Sequence, residues 1–281
     1  LAAWSGAWQG STRREGRRAM NRGARTIAVA NQKGGTGKST IAVNLAVALG
    51  EAGTRVLLVD LDPQADATSM FGIDPTLHER SLYDVMTGQA ELPDALLKDV
   101  TPGVDLLPGD ERMTDVELTL AGELMRERFL ADALEEHLGS YDVALLDCPP
   151  NLGLLTINAF CAVREVLVVV SMIDRNAYKG AMSLIATVRT LQRKKVPVIV
   201  SAVLRNNAEP TRSTYRVLSD ALLDANLPLL ATEIPMRASF QNAVTTGVPL
   251  VRYEPTHPGV AAIRRLATEL QRITPPPRSE A

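Results

Sequence analysis

The stretch Lys33-Gly34-Gly35-Thr36-Gly37-Lys38-Ser39-Thr40 constrains this chain more than any other. It follows the apolar run 26–30 and precedes 41–49, a largely apolar segment with no helix breaker. The order is strand, glycine loop, helix, so the loop sits on a helix N-terminus. Free backbone N–H groups and the positive end of the helix dipole favour a phosphate there. Glycines let the backbone curl closely around the anion. Lys38 is spaced to reach the β- and γ-phosphates, and the Ser39 hydroxyl to ligate Mg²⁺. The general phosphate-loop pattern, G-x-x-x-x-G-K-[ST], asks for its first glycine at Gln32. Lys33 and the pair Gly34-Gly35 stand beside that position instead.

Two further apolar runs end in carboxylates. Residues 55–59 lead into Asp60-Leu61-Asp62-Pro63-Gln64, and residues 143–146 lead into Asp147-Cys148-Pro149-Pro150. Carboxylates at the C-terminal ends of parallel strands face the crevice where open α/β sheets bind ligands. Turn or capping chemistry is the other reading of Asp60 and Asp62. More runs, at 104–108, 165–170, 198–204, 229–230 and 234–235, alternate with helical patterns at 178–192, 211–223 and 260–273. Residues 72–102 read as loop and short helices, and 118–138 as one surface helix with a buried face. Nearly unbroken apolar strands alternating with helices predict an α/β fold. It is a doubly wound, mostly parallel sheet with helices on both faces.

Composition fits one such domain: 281 residues, 46% hydrophobic and 22% charged. Residues 26–274 are assigned to it, residues 1–25 to a basic extension, disordered or an arm for DNA or membrane, and 275–281 to a tail. The net charge of −2 gives no bulk argument for nucleic acid, so such a site must be a local patch. Only Cys148 and Cys161 occur, with no metal or disulfide spacing, and a reducing cytosol is the simplest setting. No apolar run approaches the roughly 18–20 residues of a membrane span.

The K-G-G-x-G-K-[ST] variant, D-x-D-P-Q at 60–64 and D-C-P-P at 147–150 together resemble the deviant P-loop signatures of the ParA/MinD family. From about Thr26 to Ile273 the chain resembles a short ParA/Soj-type partition ATPase. That resemblance implies an ATP- and Mg²⁺-dependent hydrolase acting as a homodimer that sandwiches two ATP molecules. Gly34, Gly35, Thr36, Gly37, Lys38, Ser39 and Thr40 would hold the phosphates, and Lys33 would reach those of the partner subunit. Asp62 would orient the attacking water, while Ser39 and Asp147 would hold Mg²⁺. Pro235 and Met236, in a loop resembling a fourth family signature, would contact the adenine, and Asn206 or Asn207 its edge. One departure is local: relatives often continue G-N-A-T after D-x-D-P-Q, where this chain has Ala65-Asp66-Ala67-Thr68. Cys148 is expected to be a small buried filler.

Arg189, Arg193, Lys194, Lys195, Arg205, Arg212 and Arg216 crowd one stretch against the single acid Glu209, and Arg237 follows. Few aromatics interleave, which suits phosphate contacts on duplex DNA rather than base stacking. A solvated helix end is the plain alternative. The resemblance favours nonspecific DNA binding, a ParB-type centromere-binding partner and a nucleoid-associated, cytoplasmic protein with no membrane partner. The competing readings are a MinD-like membrane ATPase, and a metabolic enzyme such as an amide-forming synthetase or a nitrogenase-type reductase.

Overall fold

Continuous apolar runs become strands buried on both faces. The computed structural model describes residues 23–236, 240, 243 and 245–274. Residues 1–22, Arg237 and 275–281 lie outside the described residues, and with them most of the basic extension and the tail. The strands are β1 (Arg25–Ala30), β2 (Val56–Asp60), β3 (Leu97–Thr101), β4 (Val104–Leu107), β5 (Val143–Asp147), β6 (Glu165–Ser171), β7 (Ile199–Ala208) and β8 (Leu229–Pro235). They form one sheet in the order β3-β4-β2-β5-β1-β6-β7-β8. Every pairing is parallel except β3 with β4.

Strand side chains alternate between two apolar layers, as the pleat requires. Ala28, Leu57, Val59, Leu146 and Val168 enter one layer, and Ile27, Val29, Leu58, Leu145 and Val169 the other. The longer helices are α1 (Lys38–Glu51), α2 (Leu154–Ala162), α3 (Arg175–Arg193), α4 (Ser213–Asp224) and α5 (Pro258–Arg272). The first layer is closed by α2, α3 and α4 through Phe160, Leu184, Val188 and Leu222. The second is closed by α1 and α5 through Ile41, Leu45, Val260, Ile263, Leu266 and Leu270. Because α1 lies between the sheet and α5, almost its whole length is buried, and it needs no polar face.

Two sequence expectations change. The single helix over 118–138 is instead a short turn of helix at Val116–Thr119, a 3₁₀ turn at Arg126–Arg128 and a helix at Phe129–Glu135. Leu120, Leu130 and Leu134 are buried, but Leu124, counted on the inner face, is 90% exposed. The chain breaks between them at Gly122 and at Met125, whose φ of 55° no α-helix accepts. Residues 97–101, read as helix end and loop, form β3. Lys98 and Asp99 on this edge strand hide its pattern, and Lys98 pairs with Asp105 of β4 at 2.8 Å.

Candidate nucleotide site

The site is built where β1 gives way to α1. Asn31 anchors the start of the loop: its amide donates to the carbonyls of Val169 (2.8 Å) and Ala177 (3.1 Å). Its Oδ1 accepts from the Lys33 amide at 2.9 Å. Gly180 lets α3 come this close, since a Cβ there would stand 2.6 Å from Asn31 Oδ1. At the other end, Gly37 caps α1 with φ 87°. A Cβ on Gly37 would lie 2.4 Å from Asn206 Nδ2, which donates to the Thr36 carbonyl at 2.7 Å. The loop is therefore held from both sides by protein contacts, and α1 opens with no acidic residue in its first turn to oppose an anion.

A cavity of about 600 Å³ opens over this loop. Gly34, Gly35, Gly37, Lys38, Ser39 and Thr40 line its floor. Asp62, Gln64, Asp66 and Pro150 form one wall. Met70, Ile173, Ile234, Met236 and Phe240 add apolar lining suited to a purine base, and Asn206 and Asn207 line the cavity as well. Thr36 is buried beneath the loop rather than in the cavity. Lys33 is exposed and does not line the cavity of its own chain. Pro235 ends β8 and also stays outside the lining. Asn206 faces the cavity but spends its amide on Thr36, and the Asn207 amide donates to Ser171 Oγ at 3.2 Å. Sequence reasoning missed Gln64, Met70, Ile173 and Phe240. Ile173 was findable, because it follows the C-terminal end of a parallel strand; Phe240 carries no comparable signal.

Asp60 and Asp147 lie opposite one another in the β2–β5 register. Both are fully buried. Burial pushes Asp60 up to about 7, against the opposing pull of its hydrogen bonds from Thr68 and the Asp62 amide. Burial, then the charge of Asp60, push Asp147 well above the usual carboxylate range, while the nearby Ser39 hydroxyl and Lys38 act against them. Neither Asp147 oxygen has a hydrogen-bond partner of good geometry. An orphaned buried carboxylate beside a hydroxyl is the hard-oxygen donor set that Mg²⁺ takes, with phosphates and waters completing its shell. Asp66 is also raised, by partial burial and then by the charge of Asp62. Cys148 is buried, and burial pushes its thiol up, so it is a filler rather than a nucleophile.

The basic cluster divides. Arg189, Arg193, Lys194, Lys195 and Arg216 are exposed on or just after the neighbouring helices α3 and α4. Arg212 is exposed but pairs with Glu209. Arg205 corrects the expectation of a surface cation. Its side chain is 15% exposed, and its Nε stands 2.8 Å from Glu233 Oε1. Its remaining guanidinium nitrogens reach Ser219 Oγ and the Leu230 carbonyl. It therefore ties β7 to β8 and α4 instead of facing outward. Arg237 lies outside the described residues.

Comparison with known proteins agrees with this geometry. Residues 24–200 match a sequence family described as an AAA domain. The sporulation initiation inhibitor protein Soj of Bacillus subtilis is 34% identical over 246 residues, spanning 87% of this chain and 97% of that protein. The chromosome partitioning protein ParA of Caulobacter vibrioides is 35% identical over 250 residues, 88% of this chain and 93% of that protein. Among solved structures, the cobyrinic acid a,c-diamide synthase of Mycobacterium smegmatis, with bound ATP analogue and magnesium, superposes with a TM-score of 0.79. It is 33% identical and is covered over 89% of this chain and 94% of that one. The chain belongs to the ParA/Soj family of P-loop ATPases, which take ATP and magnesium.

Proposed function

We propose that this chain is a partition ATPase whose ATP-bound sandwich dimer binds duplex DNA nonspecifically and whose hydrolysis releases it. The observation that carries the reading is Lys33. It sits on the phosphate loop yet is exposed and absent from its own cavity, so it is free to meet the phosphates held by a second copy. Lys38 serves the phosphates of its own site, and the two lysines stabilise charge that develops in phosphoryl transfer. Ser39 and Asp147 would hold Mg²⁺, which would supply positive charge to offset that of the phosphates. Asp62 lines the cavity and orients the attacking water. Among the described residues no arginine lines the cavity, which supports slow intrinsic turnover raised by a ParB-type centromere-binding partner. Met236 contacts the adenine with Asn207 or Asn206 at its edge, a reading supported by their place in the cavity lining, and Pro235 backs them from β8. The exposed cations Arg189, Arg193, Lys194, Lys195 and Arg216 form the DNA face, and such a protein works in the cytoplasm on the nucleoid.

The apolar stripe of α5 is buried in the second core layer, which disfavours a MinD-like membrane helix there. Among the described residues no helix is long and apolar enough to cross a membrane. The test is binding to nonspecific duplex DNA with ADP, with ATP, and with ATP in Lys33→Ala, across a salt series. Binding with ATP alone, lost in the variant and falling steeply with salt, is expected. DNA-independent binding to vesicles, or ATP turnover only with a small-molecule acceptor, would move the reading to a membrane ATPase or an amide-forming synthetase.

A further inference from the structure

We propose that Thr68 is a positioning residue for ATP hydrolysis: its hydroxyl, held between the Asp60 carboxylate and the Gly109 amide, fixes the loop that carries Asp62. The inference rests on the reading of Asp62 as the residue that orients water.

With Asp60 ionised, the hydrogen-bond directions are forced. The Gly109 N–H can only donate, and it lies 3.2 Å from Thr68 Oγ1. The hydroxyl accepts there and gives its single proton to Asp60 Oδ2, 2.7 Å away. The Thr68 amide donates to the same oxygen at 2.8 Å. Asp60 Oδ1 accepts from the Asp62 amide at 3.2 Å. One carboxylate thus clamps both ends of the segment 62–68, and between those ends Asp62, Gln64 and Asp66 all line the cavity.

The clamp has a firm outer support. A Cβ at Gly109 would stand 2.7 Å from the Asp60 carbonyl oxygen and 3.3 Å from that of Asp62, so the turn after β4 packs directly on the loop. That turn is held in place because Pro108 accepts from the Leu82 amide at 2.8 Å. Next to it, Arg112 joins Asp110 (2.6 Å) to Asp84 (2.7 Å). Asp60 and Thr68 are both fully buried, so water has no access to replace a lost bond. Thr68 does not itself line the cavity, which excludes direct contact with nucleotide as its contribution.

The test uses the full chain with Thr68→Val, Thr68→Ser and, as a control, Asp62→Ala. Steady-state ATPase rate and the affinity for a fluorescent ATP analogue with Mg²⁺ are measured on the same preparations, well below each melting temperature. Thr68→Val is expected to lower kcat about 30-fold, the scale of a sub-ångström to ångström misplacement of a reacting group, with Kd within about threefold of the parent. Thr68→Ser keeps the hydroxyl and is expected to recover kcat to within about threefold. If Thr68→Val does not fold, Thr68→Ala removes the same hydroxyl without bulk and carries the same expectation. Normal turnover in Thr68→Val, a parallel loss of kcat and affinity, or no recovery in Thr68→Ser overturns the inference. Asp62→Ala turning over like the parent overturns the Asp62 reading and this inference with it. An inactive Asp62→Ala beside a normal Thr68→Val overturns the inference alone.

Discussion

Replacing Asp147 with Asn should stabilise the nucleotide-free protein while weakening its response to MgATP. Asp147 is fully buried, has no good hydrogen-bond partner and faces Asp60 across the β2–β5 register. A buried unsatisfied acceptor costs about 1–3 kcal/mol, more when charged. Asn keeps the shape, removes the repulsion and offers N–H donors to Asp60. The gain at pH 8 should be about 1–3 kcal/mol, or about 2–10 °C in Tm for a chain of this size. The pH dependence follows from the raised carboxyls. The folded state holds protons on Asp60 and Asp147 that the unfolded chain releases near its ordinary carboxylate range. The parent is therefore favoured at low pH and loses stability as pH rises through the folded pKa values, near 7 for Asp60. The variant loses less, so the gap between them should open from pH 5.5 to pH 8. MgATP at about 100 times its Kd adds about 2.7 kcal/mol to the parent, and much less to a variant lacking a cation ligand, so the gap should then narrow or reverse. Scanning fluorimetry at both pH values, with and without MgATP, measures all of this. A nucleotide-free variant melting below the parent at pH 8 would refute the view of Asp147 as a strained, unpaired carboxylate.

Gly37→Ala should weaken ATP binding by at least about tenfold, because it combines a left-handed backbone with a Cβ placed 2.4 Å from Asn206 Nδ2; titration with a fluorescent ATP analogue reads it, and near-normal affinity would deny that this end of the loop is rigid. Burial would push Asp84 up, but Arg112 and the Ser81 amide outweigh it and hold the carboxyl below its usual range. That stability is present above the unfolded carboxylate pKa and is lost as pH falls through the lower folded value. Asp84→Asn should therefore cost about 1–2 kcal/mol at pH 7, discounted for the part-exposed Arg112, and show a shallower acid limb in urea melts at pH 7 and pH 3. Arg205→Ala should cost about 1–3 kcal/mol of stability and leave DNA affinity intact, whereas the Lys194→Ala/Lys195→Ala pair should flatten the log–log salt dependence by about two units. A larger DNA defect in Arg205→Ala than in the lysine pair would reverse that assignment.

What could be read from the sequence, and what could not, divides by how far away the deciding partner lies. The placement of the phosphate loop between strand and helix, and of Asp62 and Asp147 at strand ends, was legible because each hangs on a local rule. Glycines and a lysine between strand and helix make an anion cradle, and a carboxylate closing an apolar run sits at a strand's C-terminal end. The edge strand β3 was not legible, since Lys98 and Asp99 give it the composition of a loop and only the antiparallel partner β4 makes it a strand. The region 118–138 failed for a related reason: burying Leu120, Leu130 and Leu134 together takes a break at Gly122 and Met125 that helical spacing cannot register.

The side chains with the least legible roles are those whose partners are remote. Asn206 looked like a base contact from its place after the apolar run 198–204, but its amide is spent on Thr36, 170 residues away. Arg205 looked like one more surface cation until Glu233 turned it inward. Thr68 showed only as the last residue of the string set against G-N-A-T, and its role was hidden because Gly109, which its hydroxyl meets, lies 41 residues further on. In a doubly wound sheet such crossings are systematic. Loops that leave neighbouring strands are distant in sequence yet meet at the same edge, so the groups that do chemistry obey local patterns while the groups that hold them still answer to topology. The site's precision should therefore be most sensitive at Thr68, Gly109 and Asn206, which join separate loops, and less so at Thr40, which α1 already fixes.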